Sequence, residues 1–233
     1  MRAINRAEIP VGGRGMAIAG RLLERRDWIE SAERAVDFIR ATLWRDGRLL
    51  ATCKDGHAHL NAYLDDHVYL IDALLELLQA RWRADDLDFT IELAELVLDR
   101  FQDTAGGFFF TSDDHEQLIQ RPKPGHDDAT PSGNGIAARV LARLGHLLGE
   151  ARYTEAAERT LKALWPSVEN TPYGHTSLLA ALEEKDARIE ELMGQKQHLQ
   201  EQCGKISDEA NHLRQWVVRA RTAGGGQRRR RAH

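Results

Sequence analysis

Two acidic pairs carry the groups best suited to chemistry in this 233-residue sequence. Asp65 and Asp66 stand in Tyr63-Leu64-Asp65-Asp66-His67. Asp127 stands beside Asp128 in Arg121-Pro122-Lys123-Pro124-Gly125-His126-Asp127-Asp128-Ala129-Thr130-Pro131-Ser132-Gly133-Asn134. Hydrolysis of a glycosidic bond needs one carboxylic acid to protonate the leaving oxygen and a second carboxylate, as base or nucleophile, across the ring. Asp65 or Asp66 paired with Asp127 could supply the two. Epimerisation needs a base beside a carbonyl, most often a histidine, which brings in His67 and His126. Arg121 and Lys123 are cations for an anionic sugar or phosphate, the arginine as a two-pronged fork. Ser132 and Asn134 sit where a helix begins and its free N–H groups suit an anion. Tyr63 completes the set of candidate substrate contacts. Each has a plainer reading too. An Asp ahead of a helix is a preferred N-cap, favoured again by the helix dipole. Arg and Lys in such a loop pair with nearby Asp, and Ser-Gly-Asn is a helix-start motif. His57 and His59 have no acidic partner at helical spacing, so no metal is expected, nor any other cofactor.

Helices must position these loops. After the loop-like run Pro10…Gly12-Gly13…Gly15, a helix is expected from Met16 to about Glu24. A second runs from Trp28 to Trp44, capped by Asp27, with Ile29, Ala32, Val36, Ile39 and Leu43 on one face. Asp46-Gly47 makes a turn, and Leu49–Cys53 with Ala58–Leu60 form a hairpin around Asp55-Gly56. Helices follow from Asp65-Asp66 to Trp82, around Ile91, Ala94, Val97, Leu98 and Phe101, from Ser132 or Asn134 to Leu148, and from Tyr153 to Trp165, where Pro166 ends the regular part. Phe108–Thr111 and Gln117–Gln120 read as two strands. Thr171–Leu182 opens a further helix. Helices opening at Trp28, Phe89 and Tyr153 recur at intervals of about 60 residues, and the acidic pairs share that interval. Repeated αα-hairpins stack so that each buries the face its neighbour exposes. About three are present, where a closed α/α toroid needs roughly twice that.

Beyond the hairpins the period changes. Leu182, Ile189, Lys196, Cys203, Ala210 and Val217 form one heptad seam, and Lys185, Leu192, Leu199, Ile206 and Leu213 the other. Such a seam predicts a coiled coil over 184–222 and, through it, a homodimer. Gly194 and Gly204 weaken its middle by about 1 kcal/mol each. Residues 223–233, with Arg228-Arg229-Arg230-Arg231, read as a disordered tail. Net charge is -4, which argues against nucleic-acid binding apart from nonspecific contact by that tail. No apolar run reaches the ~20 residues of a membrane helix, and the first residues lack a signal peptide's apolar core. Cys53 and Cys203 form no CxxC and no disulfide framework. The cytoplasm is the default location.

Tyr63-Leu64-Asp65-Asp66 together with Arg121-Pro122-Lys123…Asp127…Pro131-Ser132-Gly133-Asn134, and Gly106-Gly107-Phe108-Phe109, resemble the helical domain of the YyaL-type, spermatogenesis-associated thioredoxin-domain family over residues 15–183. The resemblance implies an all-α fold with short β-hairpins, a partial α/α toroid of the six-hairpin glycosidase type, akin to N-acylglucosamine epimerases. Residues 1–14 are then an irregular N-terminus. The family's thioredoxin-like domain has no counterpart in this sequence, and Val11-Gly12-Gly13-Arg14 stands where the family reads Trp-Asn-Gly-Leu. The chain therefore reads as a truncated or rearranged member. Two functions follow as expectations. One is a carbohydrate-processing or carbohydrate-binding domain, hydrolase- or epimerase-like. The other is a non-catalytic helical module that self-associates through its coiled coil.

Overall fold

A computed structural model describes residues 8–115 and 120–186, with 194, 197–202 and 205 beyond them. The chain divides into two units, Met1–Lys185 and Asp186–His233. Most of the heptad seam, the Arg tail and, of the expected strand at Gln117–Gln120, residues 117–119 lie outside the described residues.

The first unit is built of helical hairpins: α1 (Glu8–Leu22) with α2 (Arg26–Thr42), α3 (Leu64–Ala80) with α4 (Ala84–Arg100), and α5 (Gly133–Leu148) with α6 (Ala151–Asn170). A 3-10 turn at Pro172–Gly174 leads into α7, residues 176–186. Helix α3 packs against α1 on one side and α5 on the other, with α4 behind it. Behind this row, ion pairs link the second helices of the hairpins. Arg40 of α2 reaches Asp86 of α4 at 2.8 Å, and Arg152 of α6 reaches Glu95 of α4 at 2.5 Å. The result is two layers, α1–α3–α5–α7 inside and α2–α4–α6 outside, the arrangement of an α/α toroid. Among the described residues no helix is long and apolar enough to cross a membrane.

The apolar periodicity explains most of the packing. Ala32, Val36 and Ile39 of α2, Phe89, Leu93, Ala94 and Val97 of α4, and Ile136, Val140, Leu141 and Leu144 of α5 join one core with α3. Helix α3 is buried on nearly every side, as the middle helix of a row must be. Between α2 and α3 lies an antiparallel sheet of β1 (Trp44–Arg45), β2 (Arg48–Lys54) and β3 (His57–Asn61). Its turns fall at Asp46-Gly47 and Asp55-Gly56, all four residues at positive φ, the pattern of two-residue hairpin turns.

Four local expectations are corrected. Helix α1 starts at Glu8, inside the stretch read as irregular. Pro10 falls in its first turn, where a missing N–H costs nothing, and packing on α3 outweighs the glycines' poor propensity. Asp27 lies inside the first turn of α2, and the N-cap position is Arg25. The Asp27 carboxylate is held by the Arg25 guanidinium at 2.9 and 2.7 Å. Pro166 lies within α6, which runs on to Asn170. The proline is exposed, so the carbonyl it leaves unpaired can turn to water. Beyond it, buried Val168 anchors the last turns beside Leu164 and Leu178. Finally, Phe108–Thr111 is no strand. It makes a single bridge, Gln102 to Phe108, and its other backbone bonds go to loops, to the start of α3 and to the side chains of Asn134 and Arg121.

Candidate functional site

The two acidic pairs come together at the N-terminal ends of α3 and α5. Helix α3 begins on the Phe110 carbonyl, which accepts from Leu64 N–H at 3.0 Å. Asp66 Oδ2 accepts from the Tyr63 N–H at 2.8 Å, and the residue is only 4 % exposed. That contact is a cap: a carboxylate in the first turn satisfying the N–H just outside the helix. The Tyr63 ring stacks between Phe110 at 4.6 Å and His115 at 5.3 Å. Helix α5 begins at Ser132, whose hydroxyl accepts from Gly135 N–H at 3.0 Å. Ser132, not Asn134, is therefore the cap.

Asp127 is the hub of the second loop. Its Oδ1 accepts from Ser132 N–H at 2.8 Å and from the Ser177 hydroxyl at 2.5 Å. Its Oδ2 accepts from the Thr176 hydroxyl at 2.7 Å and from Ser177 N–H at 2.9 Å. A carboxylate has about four acceptor positions, and these contacts fill them. Burial alone would push its pKa up, but the hydrogen bonds from Ser177, Ser132 and Thr176 outweigh burial and hold it below the usual value. A general acid needs the opposite shift. Asp127 ties the starts of α5 and α7 together.

The remaining loop candidates are braces as well. Arg121 donates to the carbonyls of Arg100 and Thr111 and lies over the Phe109 ring. Lys123 donates to Asp103 and to the Gly106 carbonyl, both at 2.8 Å. Asn134 is fully buried. It accepts from Phe108 N–H at 2.8 Å and donates to the Phe108 and Pro124 carbonyls at 2.9 and 2.8 Å. His126 is exposed and meets the His175 ring edge-on at 5.3 Å. His67 is 2 % exposed, so the expected ligand contact is a core residue instead. Its Nδ1–H donates to the Tyr63 carbonyl at 2.7 Å, and its ring packs on Phe101. Burial pulls its pKa down to about 4, helped by the charge of Arg48 and opposed by the Tyr63 carbonyl.

Asp65 lies where the starts of α3 and α5 meet. A Cβ added at Gly133 would lie 2.1 Å from Asp65 Oδ1, so the carboxylate sits directly against the start of α5. It heads a polar stripe along α3, Asp65, Tyr69, Asp72 and Glu76, at alternating four- and three-residue steps that keep one face of a helix. The Tyr69 hydroxyl donates to the Pro131 carbonyl at 2.5 Å. Its phenol is raised above the ordinary value by burial, then by the nearby charges of Asp65, Asp127 and Asp66, against a lowering bond with Thr130. Further along, Asp72 is met from both sides, by Arg14 of α1 at 2.6 Å and by Arg139 of α5. Glu76 is met by Arg143 of α5 at 2.8 Å and, more loosely, by Arg21 of α1 at 3.8 Å. Glu184 of α7 approaches Arg143 at 3.2 Å. Every inner helix thus contributes a charged side chain to one face. Tyr69, Asp72, Glu76, Arg139 and Arg143 were not singled out from the sequence, and Arg14 was noted only as the end of Val11-Gly12-Gly13-Arg14. The available signal was polar residues at helical spacing in a largely apolar α3, matched by Arg139 and Arg143 one turn apart in α5.

No protein-family model matches the chain. By sequence it is similar to spermatogenesis-associated protein 20 of Rattus norvegicus, 24% identical over 191 residues, and to that of Homo sapiens, 25% identical. Each match covers 77% of this chain and 24% of the relative, so the chain spans about a quarter of the length of these curated relatives. Among solved structures it is similar to a GH76 α-mannanase of Bacteroides thetaiotaomicron, TM-score 0.64, 12% identity, over 78% of this chain and 52% of that one. It is also similar to cellobiose 2-epimerase of Spirochaeta thermophila, TM-score 0.56, 17% identity, over 70% and 43%. A third is an inactive variant of an α-1,6-mannanase of Salegentibacter, with two adjacent aspartates changed to asparagine, in complex with α-1,6-mannotriose, TM-score 0.57, 14% identity, over 69% and 47%. The resemblance read from the two loops therefore holds. The first unit has a six-hairpin glycosidase-like fold, an α/α toroid represented by about half the length of those solved chains.

Proposed function

We propose that the first unit binds a carbohydrate on the face shared by α1, α3, α5 and α7. The observation that carries this reading is the stripe Asp65–Tyr69–Asp72–Glu76 with the arginines of both flanking helices over it. A sugar offers many hydroxyls, and a face that sets Asp65 and Tyr69 beside guanidiniums held from beneath by Asp72 and Glu76 meets them with acceptors and donors already in place. Support also comes from the fold, which is shared with proteins described as acting on mannan and cellobiose.

Asp66 and Asp127, as a cap and a brace, serve this reading by holding the ends of α3, α5 and α7. Calorimetry of the full chain with α-1,6-mannotriose, cellobiose and a glucuronate disaccharide tests it. At least one should bind, and Arg139→Gln should weaken it by about tenfold. If none binds a chain that melts cooperatively, the reading is wrong.

Hydrolysis is a second reading, favoured by one feature: the inactivated mannanase was changed at two adjacent aspartates, and this chain carries Asp65-Asp66 in its first acidic loop. Asp65 is then the reacting group, because it lies on the stripe. New reducing ends released from a mannan, and lost in Asp65→Asn, would establish it. No release, or release unchanged in that variant, would remove it.

A further inference from the structure

The charge of the inner face narrows the ligand class, an inference that rests on the carbohydrate reading above. Its carboxylates are its floor: the side chains of Asp72 and Glu76 are 3% and 8% exposed. Its guanidiniums are its surface: Arg14 and Arg21 are 36% and 39% exposed, Arg139 and Arg143 16% and 21%. Four arginines therefore stand over two buried acids, and counting Glu184 at the α7 side and the half-buried Asp65 at the head of the stripe the layer that meets solvent is still positive.

These arginines are also held in place. Arg14 engages Asp72 through Nε, Arg139 engages it through Nη2, and Arg143 engages Glu76 through Nη1 and Glu184 through Nε. The contacts to Asp72 each take one nitrogen of a guanidinium with five N–H donors, which leaves others on Arg14 and Arg139 for a ligand. A fork whose orientation is already fixed loses little freedom on binding an oxyanion, and Arg matches carboxylate and phosphate geometry with two parallel bonds.

The geometry points to a sugar that carries an anionic oxygen group, a uronate carboxylate or a sugar phosphate, seated on Arg14, Arg139 and Arg143. Its hydroxyls then run along α3 toward Tyr69 and Asp65. The buried Asp72 and Glu76 position the cations and take no part in contacting the ligand.

Titration of the full chain with glucuronate, glucose 6-phosphate, glucose and inorganic phosphate tests this. Glucuronate or glucose 6-phosphate should bind at least about tenfold more tightly than glucose, and whichever is preferred identifies the source of the anion. That preference should disappear in Arg14→Gln, chosen because its exposure lets the fold survive the change. Arg26→Gln, which removes the same charge from an exposed outer position, should keep it, and thermal melts on both variants separate lost binding from lost folding. Neutral and charged sugars binding equally would overturn the inference and leave the carbohydrate reading standing. Phosphate alone binding as tightly as the sugar phosphate would overturn it too, by making the face a bare anion site. Binding of no saccharide, charged or neutral, would sink both.

Discussion

The acidic loops and the inner stripe use the same residue types to opposite ends. In the loops, charged groups are tied to the backbone. Asp127 holds the starts of two helices, Lys123 and Arg121 hold carbonyls, and Asn134 closes both sides of Phe108. On the stripe, charges are tied to other charges across helices, and the arginines keep part of their surface exposed. A loop crowded with prolines cannot satisfy its own backbone groups in a ladder, so it recruits side chains to do so. A helix has satisfied its backbone already, which leaves its side chains for tertiary work. The density of polar residues in a loop therefore reports a structural need at least as strongly as it reports a site.

The contrast can be broken most sharply at Asn134. Asn134→Ala strips three hydrogen bonds, two buried and one half-buried, and should cost about 4 kcal/mol, seen as a large drop in the denaturant midpoint. A loss under about 1 kcal/mol would mean the loop is not held as described. Asp72→Ala comes next. It leaves Arg14 and Arg139 facing each other without their shared acid and should cost about 3 kcal/mol. A variant as stable as the parent would show that the stripe is not a coupled network. His67 gives a pH signature in between the two regions. The unfolded chain takes up its proton near the ordinary value of 6.5, the folded chain only at about 4. The unfolded state therefore binds more protons throughout that window, and stability falls as pH drops through it, by up to about 3 kcal/mol. His67→Gln should flatten the slope of melting temperature between those pH values, while an unchanged slope would place the proton elsewhere.

How much of this was legible beforehand varies with the physical origin of each feature. The core faces of α2, α4 and α5 follow from apolar residues at helical spacing, and the hairpin turns follow from Asp46-Gly47 and Asp55-Gly56, which tolerate positive φ. The toroid and the meeting of the two acidic loops were readable from the repeat. Pro166 misled because a local rule yielded to the burial of Val168 beyond it. The Phe108–Thr111 segment misled because aromatic residues favour strands, yet here Asn134 supplies the partner a second strand would have given. The stripe was hidden for another reason. Asp72 and Arg139 are distant in sequence, and only the side-by-side packing of α3 and α5 makes them a pair.

The central claim is that ligand recognition belongs to the helix faces and not to the loops. It is tested most directly by measuring saccharide affinity for Arg139→Gln and Lys123→Gln side by side, with melts confirming that both remain folded. The account predicts that Arg139→Gln weakens binding by about tenfold or more while Lys123→Gln leaves it within about twofold. Loss of binding in Lys123→Gln with full affinity in Arg139→Gln would contradict it and return the site to the loops.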